Sequence, residues 1–183
     1  MSQYSPQGFR MLPTGVKHLL IVNCLMFAIL YVGRMSLHIN LNALLGLYTP
    51  LSSGLFRLWQ LITYMFMHAN FSHLLFNMFA LWMFGYVLEN FWGTKRFVIY
   101  YFVCGIGAAL FSILLSFTGL MPGIHNIVGA SGAVYGILLA FGMMFPDERI
   151  YLYFFVPIKA KWFVVLFAII EIIQGVFYTS DGV

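Results

Sequence analysis

The sequence predicts an all-α fold, a polytopic transmembrane helix bundle, on three observations. Hydrophobic residues fill 62% of the 183 positions, where about 45–50% is usual in soluble domains. Charged residues fill only 8%, where about 25% is usual, too few to cover a water-facing surface. The apolar residues also gather into runs approaching the ~20 needed to cross a ~30 Å hydrocarbon core. These observations exclude a water-soluble domain, a disordered tail and a coiled coil. The net charge of +4 is scattered, with no basic run longer than Lys95-Arg96. A nucleic-acid partner is therefore not expected. The lipid bilayer is.

Five segments are expected to span. The first runs from Lys17 to Val32, short but dense at Leu19-Leu20-Ile21-Val22. Its basic flank, Arg10 and Lys17, suits a signal peptide, but only Tyr31-Val32-Gly33-Arg34 follows, with no A-x-A cleavage pattern. A retained span is the better reading. Gly33 to Gln60 is too long for a hairpin and too broken for a span, with Pro50, Ser52, Ser53 and Gly54. The other spans are Leu61 to Leu88, Phe97 to Phe117, Ser131 to Phe145 and Val156 to Phe177. Residues 1–16 form an N-terminal segment, and 17–183 one membrane domain.

Charge placement orients the bundle. With the N-terminus cytoplasmic, the inner segments 1–17, 89–96 and 146–161 hold Arg10, Lys17, Lys95, Arg96, Arg149, Lys159 and Lys161. Only Arg34 and Arg57 remain outside, which is the asymmetry of cytoplasmic Lys and Arg. Cys24 and Cys104 lie deep in separate apolar runs and are expected to be small buried hydrophobes. No CxxC or Cys/His spacing points to a metal, and no organic cofactor is implied.

Polar side chains inside spans are costly and face the protein interior. His73 and Asn77, four apart, share a helix face near the outer end of the second span. The plainer reading is a pair of hydrogen-bonding residues that glue helices together. The sharper one is a pair of donors at a reaction site. His68, nearer the interface, is expected to be wet. The fourth span opens Gly129-Ala130-Ser131-Gly132, with Tyr135 one turn on. Gly132, Gly136 and Ala140 form a small-residue stripe for close packing, with small partners expected around Gly105, Ala109 and Ser112. Ser131 is either one more small packing residue or a nucleophile whose oxygen lies at a helix N-terminus, where N–H groups favour an oxyanion. A serine needs a base. Spacing leaves open whether His73 is that base or an oxyanion donor.

At these residues the chain resembles the rhomboid family of intramembrane serine proteases. The resemblance rests on Trp59-Gln60, His68, His73-x-x-x-Asn77, Glu89, Gly93 and Gly129-Ala130-Ser131-Gly132 with Tyr135, and covers about Leu55 to Val183. It implies a six-span bundle that cuts single-span membrane proteins near their outer interface. Ser131 is then the nucleophile, His73, Asn77 and the Ser131 N–H the oxyanion hole, and Tyr135 the residue stacked on the catalytic histidine. The fifth span is then the mobile gate for substrate.

Two departures stand out. Gln60 replaces the family's common arginine, which weakens an expected contact between this position and Glu89. The family's base is a histidine in an Ala-His-x-x-Gly context on a sixth span, and no histidine follows His125 here. The expectation is a fragment, with the dyad histidine outside these residues and the 183-residue chain inactive alone. His125 is a minor candidate for a substitute base. The rival reading is a catalytically dead binder of client transmembrane helices. A transporter, suggested by Glu171 and Gln174, is a third. Substrate identity and oligomeric state are not legible.

Overall fold

A computed structural model of the chain describes residues 12–36, 41–50, 54–118, 126–152, 156–167 and 169. Arg10, His125, Glu171, Gln174 and the C-terminal part of the fifth expected span lie outside the described residues.

Helices dominate, as the composition requires. Helix α1 (Thr14–Ser36) is followed by two short helices, α2 (Leu41–Leu45) and α3 (Gln60–Thr63), and a 3-10 turn, Tyr64–Phe66. Helices α4 (Phe71–Trp92), α5 (Thr94–Phe117) and α6 (Ser131–Met144) complete the bundle. A two-stranded antiparallel hairpin, β1 (Arg149–Leu152) with β2 (Val156–Lys159), precedes helical residues 160–167. α1, α4 and α5 are long and apolar enough to cross a membrane, and α6 is a shorter apolar helix.

Four expectations are corrected here. The second span does not run unbroken from Leu61. Met67 is extended, and Asn70, at φ −153°, caps α4 by accepting the His73 backbone N–H at 2.8 Å. An Asn side chain that satisfies an orphan N–H starts a helix at that point. α1 begins at Thr14 rather than Lys17, because Glu89 receives its first N–H groups. The fifth segment opens as a strand, not a helix. Its ladder sets Arg149 opposite Lys159 and Tyr151 opposite Pro157. Cys24 is exposed on α1, not buried, while Cys104 is half-buried.

The core joins α4, α5 and α6 through Leu81, Phe84, Leu88, Phe97, Tyr101, Ile137 and Leu138. Val103, Leu110, Phe111 and Leu114 on the outer face of α5 are exposed, as a lipid-facing side should be. The small stripe of α6 does face α5, but in a register different from Gly105, Ala109 and Ser112. Gly132 abuts Ala108, and Gly136 abuts Cys104 and Tyr100, whose hydroxyl donates to the Gly136 carbonyl at 2.8 Å. Gly105 instead accommodates Met65.

Glu89 ends α4 and is 2% exposed. Its oxygens accept the N–H groups of Gly15 and Val16, each at 2.7 Å, and the Thr94 hydroxyl at 2.6 Å. One buried carboxylate thus ties three helices at the end of the bundle that carries Lys17, Lys95 and Arg96. Gln60 does not meet it. Gln60 precedes α4, about 27 Å of helix away at 1.5 Å per residue. Its side chain accepts from the Arg57 N–H at 3.1 Å and donates to the Leu55 carbonyl at 3.1 Å.

Candidate active site

The site forms where the turn before α6 meets the start of α4. Gly129 has φ +126°, a region that non-glycine residues enter only with strain. Its N–H donates to the Tyr64 carbonyl at 2.9 Å, so the 3-10 turn holds it. Just upstream, Leu47 and Ile127 exchange both backbone hydrogen bonds, at 2.9 and 2.8 Å. The loop after α1 therefore clamps the segment that delivers Ser131.

The imidazole of His73 lies against Gly129. A methyl group on Gly129 would stand 2.8 Å from His73 Nε2 and 3.7 Å from Ser131 Oγ. The two side chains thus flank one point, and the missing Cβ is what lets them approach. Both are half-buried. Ser131 is the first residue of α6. The N–H groups of Ser131, Gly132 and Ala133 precede the first intrahelical bond, from Val134 N–H to the Ala130 carbonyl at 2.9 Å. They have no acceptor within the helix, and they stand at the positive end of its dipole.

Depth follows from length. α6 has 14 residues, about 21 Å of helix, against a ~30 Å core. Its C-terminal end is level with that of α4, since the Phe91 and Phe145 rings meet at 5.2 Å. Ser131 therefore stands short of the level that a full ~30 Å span from the same end would reach.

Asn77 lies one turn below His73 and is buried, with Nδ2 donating to the His73 carbonyl at 2.9 Å. That bond uses one amide hydrogen and leaves the other. His68 is not wet: it is 4% exposed, and its ring meets His73 edge-on at 5.2 Å. The break before α4 folds it inward. Tyr135 meets the ring of Phe167 at 5.5 Å, so the helix after the hairpin covers it. Tyr64, Asn70 and the Leu47–Ile127 bridge were not singled out from the sequence. Asn70, three residues before His73, carried a readable capping signal; the backbone partners carried none. Among the described residues, no group of three His, Cys, Asp or Glu is placed to hold a metal.

Comparison with known proteins decides the relationship. The family model of the Rhomboid domain matches residues 55–182. The chain belongs to the rhomboid family. It is 35% identical over 97 residues to Rhomboid protein 1, mitochondrial, of Saccharomyces cerevisiae, covering 53% of this chain and 28% of that protein. It is 36% identical over 80 residues to Rhomboid protease GluP of Bacillus subtilis, covering 44% and 14%. The putative rhomboid protease YdcA of the same bacterium is 37% identical over 94 residues, covering 50% and 45%. The matches span less than half the length of these relatives. The rhomboid family is one of intramembrane proteases, and this member is an integral membrane protein with the helical bundle such a family needs.

Proposed function

We propose that this rhomboid chain carries the nucleophile and oxyanion hole of an intramembrane serine endopeptidase that cuts transmembrane segments of single-span membrane proteins. The observation that carries the reading is the convergence of His73 Nε2 and Ser131 Oγ on Gly129 at the N-terminus of α6. Ser131 attacks the scissile carbonyl. The oxyanion meets the Ser131 N–H, His73 and the remaining Asn77 hydrogen, donors that gain strength in a low-dielectric site. Tyr135 braces the histidine that takes the serine proton. No metal or organic cofactor takes part. The N-terminus lies in the cytoplasm of a bacterial inner membrane, in line with Lys17, Lys95, Arg96, Lys159 and Lys161 at one end of the bundle.

A serine-directed phosphonate tests the assignment on the complete protein. The adduct is expected on Ser131 and is lost in Ser131→Ala. Adduct on Ser72 or Ser112 refutes it. The rival reading is a dead binder of client helices. It predicts client binding with no adduct.

A further inference from the structure

Tyr64 opens the 3-10 turn before α4 and is buried. Its two polar ends face different partners. The hydroxyl donates to the Gly105 carbonyl of α5 at 2.7 Å. The backbone carbonyl accepts the Met67 N–H at 3.1 Å and the Gly129 N–H at 2.9 Å, which engages both of its lone pairs. The hydroxyl also faces the start of α6, since a Cβ on Gly132 would stand 3.3 Å from its oxygen. Tyr64 thus meets α5, the turn before Ser131 and the first turn of α6.

The 3-10 turn cannot hold this position by itself. Together with α3 it covers only residues 60–66, and a helical stretch that short is not stable alone. Met67 leaves it in extended conformation. Its place is set by anchors, and two of them fall on the same residue of α5. The Tyr64 hydroxyl bonds the Gly105 carbonyl, and the Met65 side chain fills the space that a Gly105 side chain would take. Gly129 needs an outside hold in turn, because a glycine at φ +126° has many other conformations open to it. With its acceptor displaced, the peptide units after Gly129 can rotate, and the Ser131 N–H is among them.

We propose that Tyr64 is a positioning residue for the oxyanion. Through its bond to Gly105 it fixes the carbonyl that holds Gly129, and so the direction of the Ser131 N–H. This role rests on the proteolytic reading of the site.

Tyr64→Phe in the complete protein removes the hydroxyl and keeps the ring. The final amount of phosphonate adduct on Ser131 counts folded sites, and the rate at which it forms reports the oxyanion donors. In Tyr64→Phe the amount should match the parent, while the rate should fall about tenfold, part of the ~10²-fold that a 1 Å misplacement costs. kcat should fall with it, KM should stay, and the Gly129 amide should exchange faster. Tyr100→Phe loses the same oxygen from a bond to the Gly136 carbonyl, one turn further along α6, and should keep the parent rate. If Tyr64→Phe fails to fold, Gly105→Ala takes its place. A methyl group there drives Met65 off α5 and should slow adduct formation in the same way. Adduct formation at the parent rate overturns the proposal, even if Gly129 exchanges faster. A parent protein that forms no adduct on Ser131 brings down the proteolytic reading itself, and the oxyanion role of Tyr64 with it.

Discussion

His73 Nε2 reaches its place beside Ser131 only because Gly129 has no side chain. A Cβ there would lie 2.8 Å from that nitrogen, inside van der Waals contact. The same residue holds φ at +126°, which an L-residue adopts at a cost of about 1–3 kcal/mol. Gly129→Ala should therefore damage turnover far more than the fold. Turnover should fall ~10²-fold or more, since small misplacements of reacting groups cost that much. Thermal stability should fall by no more than the strain. Wild-type turnover in Gly129→Ala would show that His73 need not occupy this position.

The bundle itself was readable because apolar runs and polar outliers are one-dimensional signals. Ser131 at a helix start and His73 four residues from Asn77 needed only spacing. What the sequence concealed depends on the chain returning to itself. The bridge between Leu47 and Ile127 joins segments 80 residues apart through backbone atoms, and no side-chain pattern announces it. Glu89 was noticed as a motif residue, yet its partners are the backbone N–H groups of Gly15 and Val16, which every non-proline residue has. The hairpin at 149–159 was read as part of a loop and a span because Ile150, Tyr151 and Ile158 are as apolar as a helix would be. The packing register of the Gly132 stripe was missed because Gly105 looked like the natural small partner, while Met65 already occupies its side.

Glu89 gives a prediction about assembly rather than chemistry. Its carboxylate receives two N–H groups and a hydroxyl from α1 and α5 while nearly excluded from solvent. Hydrogen bonds to a charged group contribute about 1.5–3 kcal/mol each, and removing the acceptor leaves the donors unsatisfied. Glu89→Leu should lower stability by at least ~3 kcal/mol and free the N-terminal turn of α1. Unfolding in detergent measures the first, and amide exchange at Gly15 and Val16 the second. Unchanged exchange at both amides would mean that the carboxylate does not hold α1.

Asp147 makes the hairpin sensitive to acid. The Lys159 ammonium at 2.9 Å and that of Lys161 at 3.3 Å hold its carboxyl below the usual carboxylate range. A depressed folded-state pKa means that its stabilising effect is complete above the unfolded value, about 3.9. The effect is lost as pH falls through the lower, folded value. All three side chains are exposed, so the effect is small and salt should weaken it. Amide protection in β1 and β2 should therefore decline below about pH 4, with less change in high salt. Asp147→Asn should remove that pH dependence. If the variant kept the parent's pH profile, another carboxyl would be responsible.

The last prediction concerns the proton of Ser131. Around that hydroxyl the described histidines are His73, against Gly129, and His68, edge-on to His73. Both stand on the side that the proposed oxyanion occupies. A group that stabilises the oxyanion as a donor cannot at the same moment accept the serine proton through the same nitrogen. Tyr135, on the face of α6 one turn beyond Ser131, meets Phe167, and a base that stacks on it must approach from that side. Residues 1–183 expressed alone should therefore show little cleavage of a model single-span substrate. General-base assistance contributes ~10²–10⁴ in rate. Supplying a helix with an Ala-His-x-x-Gly segment, fused or in trans, should bring cleavage up by a factor in that range. Changing its histidine to alanine should take the gain away. In the active form, His73→Ala and Asn77→Ala should each lower kcat by ~10²–10³ with little change in KM, as loss of a single oxyanion donor does. Full-rate cleavage by residues 1–183 alone would make His73 or His125 the base, and a base at His73 would end its assignment to the oxyanion.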